Sequence, residues 1–103
     1  MGASEFGRMK NNAILINTAR GGLVDTQALV DALREGKLGG AGIDVLREEP
    51  PVHGDPLLDY AGDNLILTPH IAWATVEARQ NAIDELSENV RAFLQGTERN
   101  RVV

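Results

Sequence analysis

Three side chains of unlike chemistry follow three short apolar runs. Arg20 lies in I-N-T-A-R-G-G-L-V-D, Glu49 in G-I-D-V-L-R-E-E-P and His70 in L-T-P-H-I-A-W. Open α/β sheets place their ligands outside the carboxyl ends of the strands, and each of these residues falls just past such an end. A cation, a carboxylate and an imidazole gathered there could reduce a carbonyl. The arginine would hold an anionic substrate, and the histidine would give a proton to the oxygen. The carboxylate would keep the histidine protonated.

The elements that must position them can be read in order. Ala13 to Asn17 (A-I-L-I-N) is a continuous apolar run after Lys10-Asn11-Asn12, the pattern of a strand buried on both faces of a parallel sheet. Gly21-Gly22 breaks it. Asp25 can cap a helix carrying Ala28, Leu29, Ala32 and Leu33 on one face, and Gly36 is a natural stop. L-G-G-A-G-I-D-V gives a second strand centred on Ala41 to Val45, whose glycines suggest close packing. Glu48 to Pro56 is a loop. Asn64 to Leu67 is a third strand, ended by Thr68-Pro69. Thr75 can cap a last helix running to about Gln95, with Val76, Ile83, Leu86, Val90, Phe93 and Leu94 as an apolar stripe read as a core face. At the start, Met1 to Phe6 enters a helix-like segment with Ser4 as the expected cap, as though joining a fold midway. The alternation predicts an α/β fold with a thin parallel sheet of about three strands and flanking helices, the second half of a doubly wound domain.

The bulk composition narrows the function classes. The chain has 103 residues, 43% hydrophobic and 24% charged, an ordinary soluble globular balance for one small domain. Only 4% is aromatic, so the core must be aliphatic. A net charge of -5 speaks against nucleic acid or an anionic membrane as partner. With no cysteine there is no disulfide and no thiolate nucleophile, and two histidines without a cysteine cluster suggest no metal site. No apolar run approaches the ~20 residues that span a bilayer, so the cytoplasm is the expected location.

The three blocks N-T-A-R-G-G-L-V-D, G-I-D-V-L-R-E-E-P-P and L-I-L-T-P-H-I-A-W resemble, in order and spacing, signature blocks from the C-terminal part of the D-isomer-specific 2-hydroxyacid dehydrogenases. The resemblance runs from about Ser4 to the C-terminus. It implies the second half of a Rossmann-like NAD(P)-binding domain. The last helix and tail, about 75–103, would reach toward a substrate domain. It implies Arg20 as the substrate-carboxylate arginine, whose planar fork can bind bidentately. His70 becomes the general acid/base, and Glu49 the carboxylate that pairs with it and raises its pKa. Glu48 is the neighbouring rival, but the family's acid directly precedes the proline, here Pro50. Asp44 would meet the nicotinamide carboxamide or ribose. Thr18, Ala19 and Arg20 would line the nicotinamide side, with His70 and Ala72 in the same pocket and Trp73 as a wall of the substrate pocket. Trp73, the E-E-P-P-V-H-G-D-P-L-L segment and the R-N-R-V-V tail resemble the glycerate dehydrogenase / hydroxypyruvate reductase group. That implies hydroxypyruvate or glyoxylate as the 2-keto acid, NAD or NADP as cofactor, and a homodimer. Half a sheet with an unpaired edge, and a last helix whose stripe lacks part of its cover, also predict self-association.

The family's G-x-G-x-x-G turn, followed by an acid about twenty positions on, does not occur in this sequence. Gly40-Ala41-Gly42 begins the pattern, but Val45 stands at the third glycine. The isolated chain is therefore expected to be inactive. The alternative is a non-catalytic, dehydrogenase-like binding or interaction module. Taken singly, Arg20 reads as a solvated arginine and Glu49 as a surface carboxylate. His70 divides between a core or capping histidine and a catalytic one, His53 reads as a loop histidine, and Asp25 as a helix cap.

Overall fold

The computed structural model describes residues 1–102 and divides into two compact units, Met1–Ile71 and Ala72–Val103. Val103, the last residue of the R-N-R-V-V tail, lies outside the described residues.

The first unit is a parallel sheet with helices on one face. Strands β1 (Ile14–Asn17), β2 (Gly40–Ile43) and β3 (Leu65–Leu67) are ordered β1-β2-β3, with β2 in the centre. The register sets Leu15 beside Ala41 and Leu65, and Asn17 beside Ile43 and Leu67. That face carries the core. It meets helix α1 (Ala3–Phe6) and helix α2 (Thr26–Arg34) through Phe6, Leu29, Leu33, Leu38, Ala41 and Ile43, all buried. The opposite face sets Ile16 beside Gly42 and Ile66, with Ile14 one step back. Its isoleucines are exposed by 69% at Ile14, 71% at Ile16 and 70% at Ile66. Parallel strands with apolar residues on both faces are suited to cover on both.

Helix α2 forms where its capping chemistry directs. The Asp25 carboxylate accepts from Ala28 N at 2.9 Å, a cap of about 1 kcal/mol. Leu29, Val30, Ala32 and Leu33 are its buried face. Gly36 takes a φ of +69° past its end, so Lys37 N reaches the Ala32 carbonyl at 2.9 Å. At the N-terminus the expected capping by Ser4 is not found. Gly2 is the cap residue, Ser4 lies inside the first turn, and the Glu5 carboxylate turns back to accept from Gly2 N at 2.7 Å. The second strand lies earlier than the Ala41–Val45 centre read from sequence. It ends at Ile43 because the Asp44 carboxylate is drawn to the segment after β3. The β2–β3 crossover is the irregular segment 44–64, without a helix.

The second unit is helix α3 (Val76–Leu94) with the tail folded back on it. Thr75 caps the helix by accepting from Ala78 N at 3.1 Å. Thr97 N and its hydroxyl both donate to the Ala92 carbonyl, and Arg99 forks onto Glu85 at 2.8 and 3.0 Å. The stripe expected as a core face is not one within this unit. Val76, Ile83, Leu86, Val90, Phe93 and Leu94 are all exposed, because a single helix with a short tail has no second layer to bury them. No helix among the described residues is long and apolar enough to cross a membrane.

Gly21, the first residue of a 3₁₀ turn (Gly21–Leu23) after β1, joins two of the strand-end segments. A Cβ there would stand 2.1 Å from both the carbonyl carbon and oxygen of Leu46 and 2.4 Å from Arg47 N. Backbone atoms cannot give way as a side chain would. Gly22, its neighbour, has nothing within 4 Å of the same position. Gly21→Ala should therefore destabilise by about 1–3 kcal/mol through overpacking, lowering the melting temperature by at least ~4 °C. Gly22→Ala should melt within about a degree of the parent, well under that per-kcal/mol shift. Equal melting of the two variants by circular dichroism would contradict this packing.

Candidate active site at the carboxyl ends of the strands

The three strands stop level with one another, and the backbone ties their exits together. Asp44 N donates to the Asn17 carbonyl at 2.9 Å and Thr68 N to the Ile43 carbonyl at 3.0 Å. The buried Asn17 then shapes the turn after β1. Its Oδ1 accepts from Ala19 N at 3.1 Å, and its Nδ2 donates to the Arg20 carbonyl at 3.0 Å. An asparagine side chain that closes its own following turn is a standard local solution. The turn leaves Thr18, Ala19 and Arg20 exposed. The Arg20 guanidinium donates to the Ala19 carbonyl at 2.7 Å and pairs with no carboxylate among the described residues. Asn17 was not singled out in the sequence. Its position as the last residue of an apolar run, three before a candidate arginine, is the signal that could have found it.

Glu49 is held from two sides. Its Oε1 accepts from Leu46 N at 2.8 Å, and its Oε2 lies 2.7 Å from His70 Nδ1. The side chains are 35% and 41% exposed, so the pair lies at the surface within reach of a ligand. The Leu46 N–H, first, and the His70 ring, second, hold the Glu49 carboxyl below its usual value, against partial burial and the nearby Asp44 charge. The neighbouring Glu48 faces elsewhere and pairs with His53 at 2.8 Å, leaving His53 a loop histidine. Two adjacent glutamates thus receive separate histidines.

His70 has a backbone conformation that its residue type rarely adopts. Its φ is +54°, in the left-handed region, which costs about 1–2 kcal/mol for a residue with a Cβ. Its N–H closes a tight turn onto the Thr68 carbonyl at 3.0 Å. On either side of it, the Thr68 hydroxyl at 2.5 Å and Ile71 N at 2.9 Å both donate to Asp44 Oδ1. Asp44 is only 4% exposed, a buried carboxylate at the end of the central strand.

An apolar cavity of about 500 Å³ adjoins the pair, walled by Leu46, Pro50, Leu58, Leu67 and Pro69 along with Glu49 and His70. Arg20 is not among its walls, and no arginine or lysine lines it. Ala72 and Trp73 open the second unit, in the segment leading into α3, and Trp73 is 59% exposed there. Among the described residues no cluster of three or more His, Cys, Asp or Glu could hold a metal ion. The structure thus brings Glu49 to His70, and Asp44 to the two residues flanking it. It turns the Arg20 side chain onto its own backbone.

The depressed Glu49 carboxyl has a testable consequence. Its folded-state pKa lies below the unfolded one, so the pair's contribution is present above the ordinary carboxylate range. It is lost as pH falls through the depressed value. A carboxyl ¹³C titration should place Glu49 below an ordinary glutamate. In His70→Ala it should move only part of the way back, because the Leu46 bond, the larger cause, remains. A full return to the ordinary value would show that Leu46 is not the main anchor.

Residues 1–72 match the family model described as D-isomer specific 2-hydroxyacid dehydrogenase, NAD binding domain. The chain is 54% identical over 102 residues to a glycerate dehydrogenase of Methylorubrum extorquens, covering 99% of this chain and 32% of that protein. It is 51% identical over 89 residues to a glyoxylate reductase of Thermofilum pendens, covering 86% of this chain and 26% of that one. Among solved structures it resembles the D-lactate dehydrogenase of Lactobacillus jensenii determined with NAD+. There the TM-score is 0.66 and the identity 38%, across 100% of this chain and 34% of the other. The chain spans about a quarter to a third of the length of these relatives. The thin parallel sheet of three strands with flanking helices expected from sequence is the α/β fold the chain shares with these structures. This chain belongs to the D-isomer-specific 2-hydroxyacid dehydrogenase family, as part of its NAD-binding domain.

Proposed function

We propose that this chain carries the proton-transfer part of an NAD(P)-dependent D-2-hydroxyacid dehydrogenase. The reaction would interconvert hydroxypyruvate or glyoxylate with D-glycerate or glycolate. The observation that carries the reading is the Glu49 Oε2–His70 Nδ1 contact of 2.7 Å at the carboxyl edge of the sheet. A carboxylate on Nδ1 fixes the ring's tautomer and leaves Nε2 as the nitrogen that exchanges a proton with substrate. In the reducing direction His70 gives that proton to the carbonyl oxygen; in the oxidising direction it takes it from the hydroxyl. Glu49 stabilises the imidazolium in between.

Arg20 would leave the Ala19 carbonyl and bind the substrate carboxylate with its fork, aligning the carbonyl toward His70. Its exposure and its lack of an acidic partner support this, since little must be broken to turn it. Trp73 would wall the substrate pocket. The glycerate dehydrogenase and glyoxylate reductase likenesses support the choice among 2-keto acids.

The cofactor reading rests on the strand ends. A buried Asp44 beside the exposed Thr18–Ala19 turn fits the nicotinamide end of NAD or NADP. Asp44 would meet the carboxamide or ribose, and Thr18, Ala19, Arg20, His70 and Ala72 would complete the wall. When bound, the nicotinamide supplies the hydride. Gly40 and Gly42 lie in β2, Gly40 beside Ile14 and Gly42 between Ile16 and Ile66, and offer no phosphate turn. Helix α3 and the tail would lead toward a substrate domain, a reading supported by the family match ending at residue 72, where the second unit begins. The cytoplasm is the proposed location.

In a protein of the relatives' full length that carries this chain, His70→Ala should lower kcat for hydroxypyruvate by about 10²–10⁴-fold, the worth of a positioned general acid. Arg20→Ala should likewise remove nearly all turnover and raise KM for the keto acid, because the contact that holds the carboxylate and aligns the carbonyl is lost. Absorbance of NADH reports both, and more than a tenth of the parent rate in His70→Ala would sink the assignment. The 103-residue chain alone should show no enzyme-like turnover. It should self-associate, because exposed isoleucines on one sheet face favour burial against a second surface. Light scattering that found only monomer at tens of micromolar would contradict the self-association.

A further inference from the structure

We propose that Thr68 is a positioning residue for His70, acting through the buried carboxylate of Asp44. The inference rests on His70 being the acid/base of the reaction above, but the geometry behind it does not.

A left-handed backbone at a histidine does not persist unless its surroundings hold it. Here two donors flank His70 in the chain, the Thr68 hydroxyl two residues before it and Ile71 N one residue after. Both converge on one oxygen, Asp44 Oδ1, at 2.5 and 2.9 Å. The acceptor is itself fixed. Asp44 is 4% exposed, and its N–H is tied to the Asn17 carbonyl of the neighbouring strand at 2.9 Å. The Thr68 main chain is fixed as well, since its N–H continues the ladder onto the Ile43 carbonyl at 3.0 Å. The tight turn from Thr68 to His70 is thus pinned at both ends to β2 and its exit, and from there the ring meets Glu49 Oε2. Thr68 shares a cavity wall with Glu49 and His70, and its hydroxyl is engaged on Asp44. That hydroxyl supplies a side-chain donor to the clasp, and a charge-assisted bond to a carboxylate is stronger than a neutral one.

Two experiments separate this from the catalytic reading. In the 103-residue chain, ¹⁵N shifts of the neutral His70 imidazole report whether Nδ1 still carries the proton, and amide exchange reports the Ile71 bond. Thr68→Val, which keeps the shape and removes the hydroxyl, should mix the two ring tautomers and speed exchange at Ile71. Thr68→Ser should restore both. Should Thr68→Val fail to fold, Asp44→Asn takes its place, since it keeps the acceptor geometry and removes the charge; it should move both readouts in the same direction. An unchanged tautomer and unchanged Ile71 exchange in the folded variant would overturn the proposal. In the full-length enzyme, Thr68→Val should lower kcat about 10- to 100-fold, the loss of one charge-assisted bond. KM should change little, and Thr68→Ser should recover most of the rate. If the tautomer shifts but the parent protein reduces no 2-keto acid, the clasp stands and the assignment of function falls. If Thr68→Val and Thr68→Ser lose rate equally, the hydroxyl is not what positions the ring and the proposal fails.

Discussion

The site depends on a carboxylate with two engaged oxygens. Glu49 takes the Leu46 N–H on one and the His70 ring on the other. The first contact folds the segment after β2 onto itself, and the second reaches across to the segment after β3. One side chain thereby converts two independent loops into one structure. The same backbone bond that lowers the Glu49 pKa also aims its other oxygen, so electrostatics and geometry have a common cause.

Parallel pairing makes such a bridge possible. Strands running the same way deliver their exits to one edge, and the register Asn17–Ile43–Leu67 brings those exits level. Each exit then receives its own clasp: Asn17 for the arginine turn, Leu46 N for the glutamate, Asp44 for the histidine turn. Gly21 lets the first of these segments lie against the second, because its missing Cβ is the space that Leu46 occupies. The strain at His70 fits this arrangement, since an unfavourable backbone is sustained by contacts on both sides of it.

The same sheet presents two unequal faces. One is packed against α1 and α2, while the other shows Ile14, Ile16 and Ile66. Isoleucine on both faces is what a continuous apolar strand encodes, and it is the composition of a sheet layered on both sides. The chain spans about a third of the length of the glycerate dehydrogenase it resembles.

Much of this was legible in the sequence. Apolar runs marked the three strands, Asp25 and Thr75 announced their helices, and Gly36 the end of the first, because caps and stops are local chemistry. The three signature blocks identified the family, and the acid before Pro50 picked Glu49 over Glu48, whose partner is His53. That the whole stripe on α3 is exposed, and not only part of it, was not legible, because amphipathic spacing shows that a helix has an apolar face and not what covers it. Nor was the end of β2, where a side chain's long-range attachment at Asp44 outweighed the apolar run. The clasps on Arg20 and His70 join residues by contacts that no periodicity encodes: Asn17 to its own turn, and Asp44 to residues 24 and 27 positions away. The sequence by itself determined which chemical groups are present and on which elements they ride. The tertiary structure alone decided which of them meet, because hydrogen bonding between strand exits depends on sheet register and not on distance along the chain.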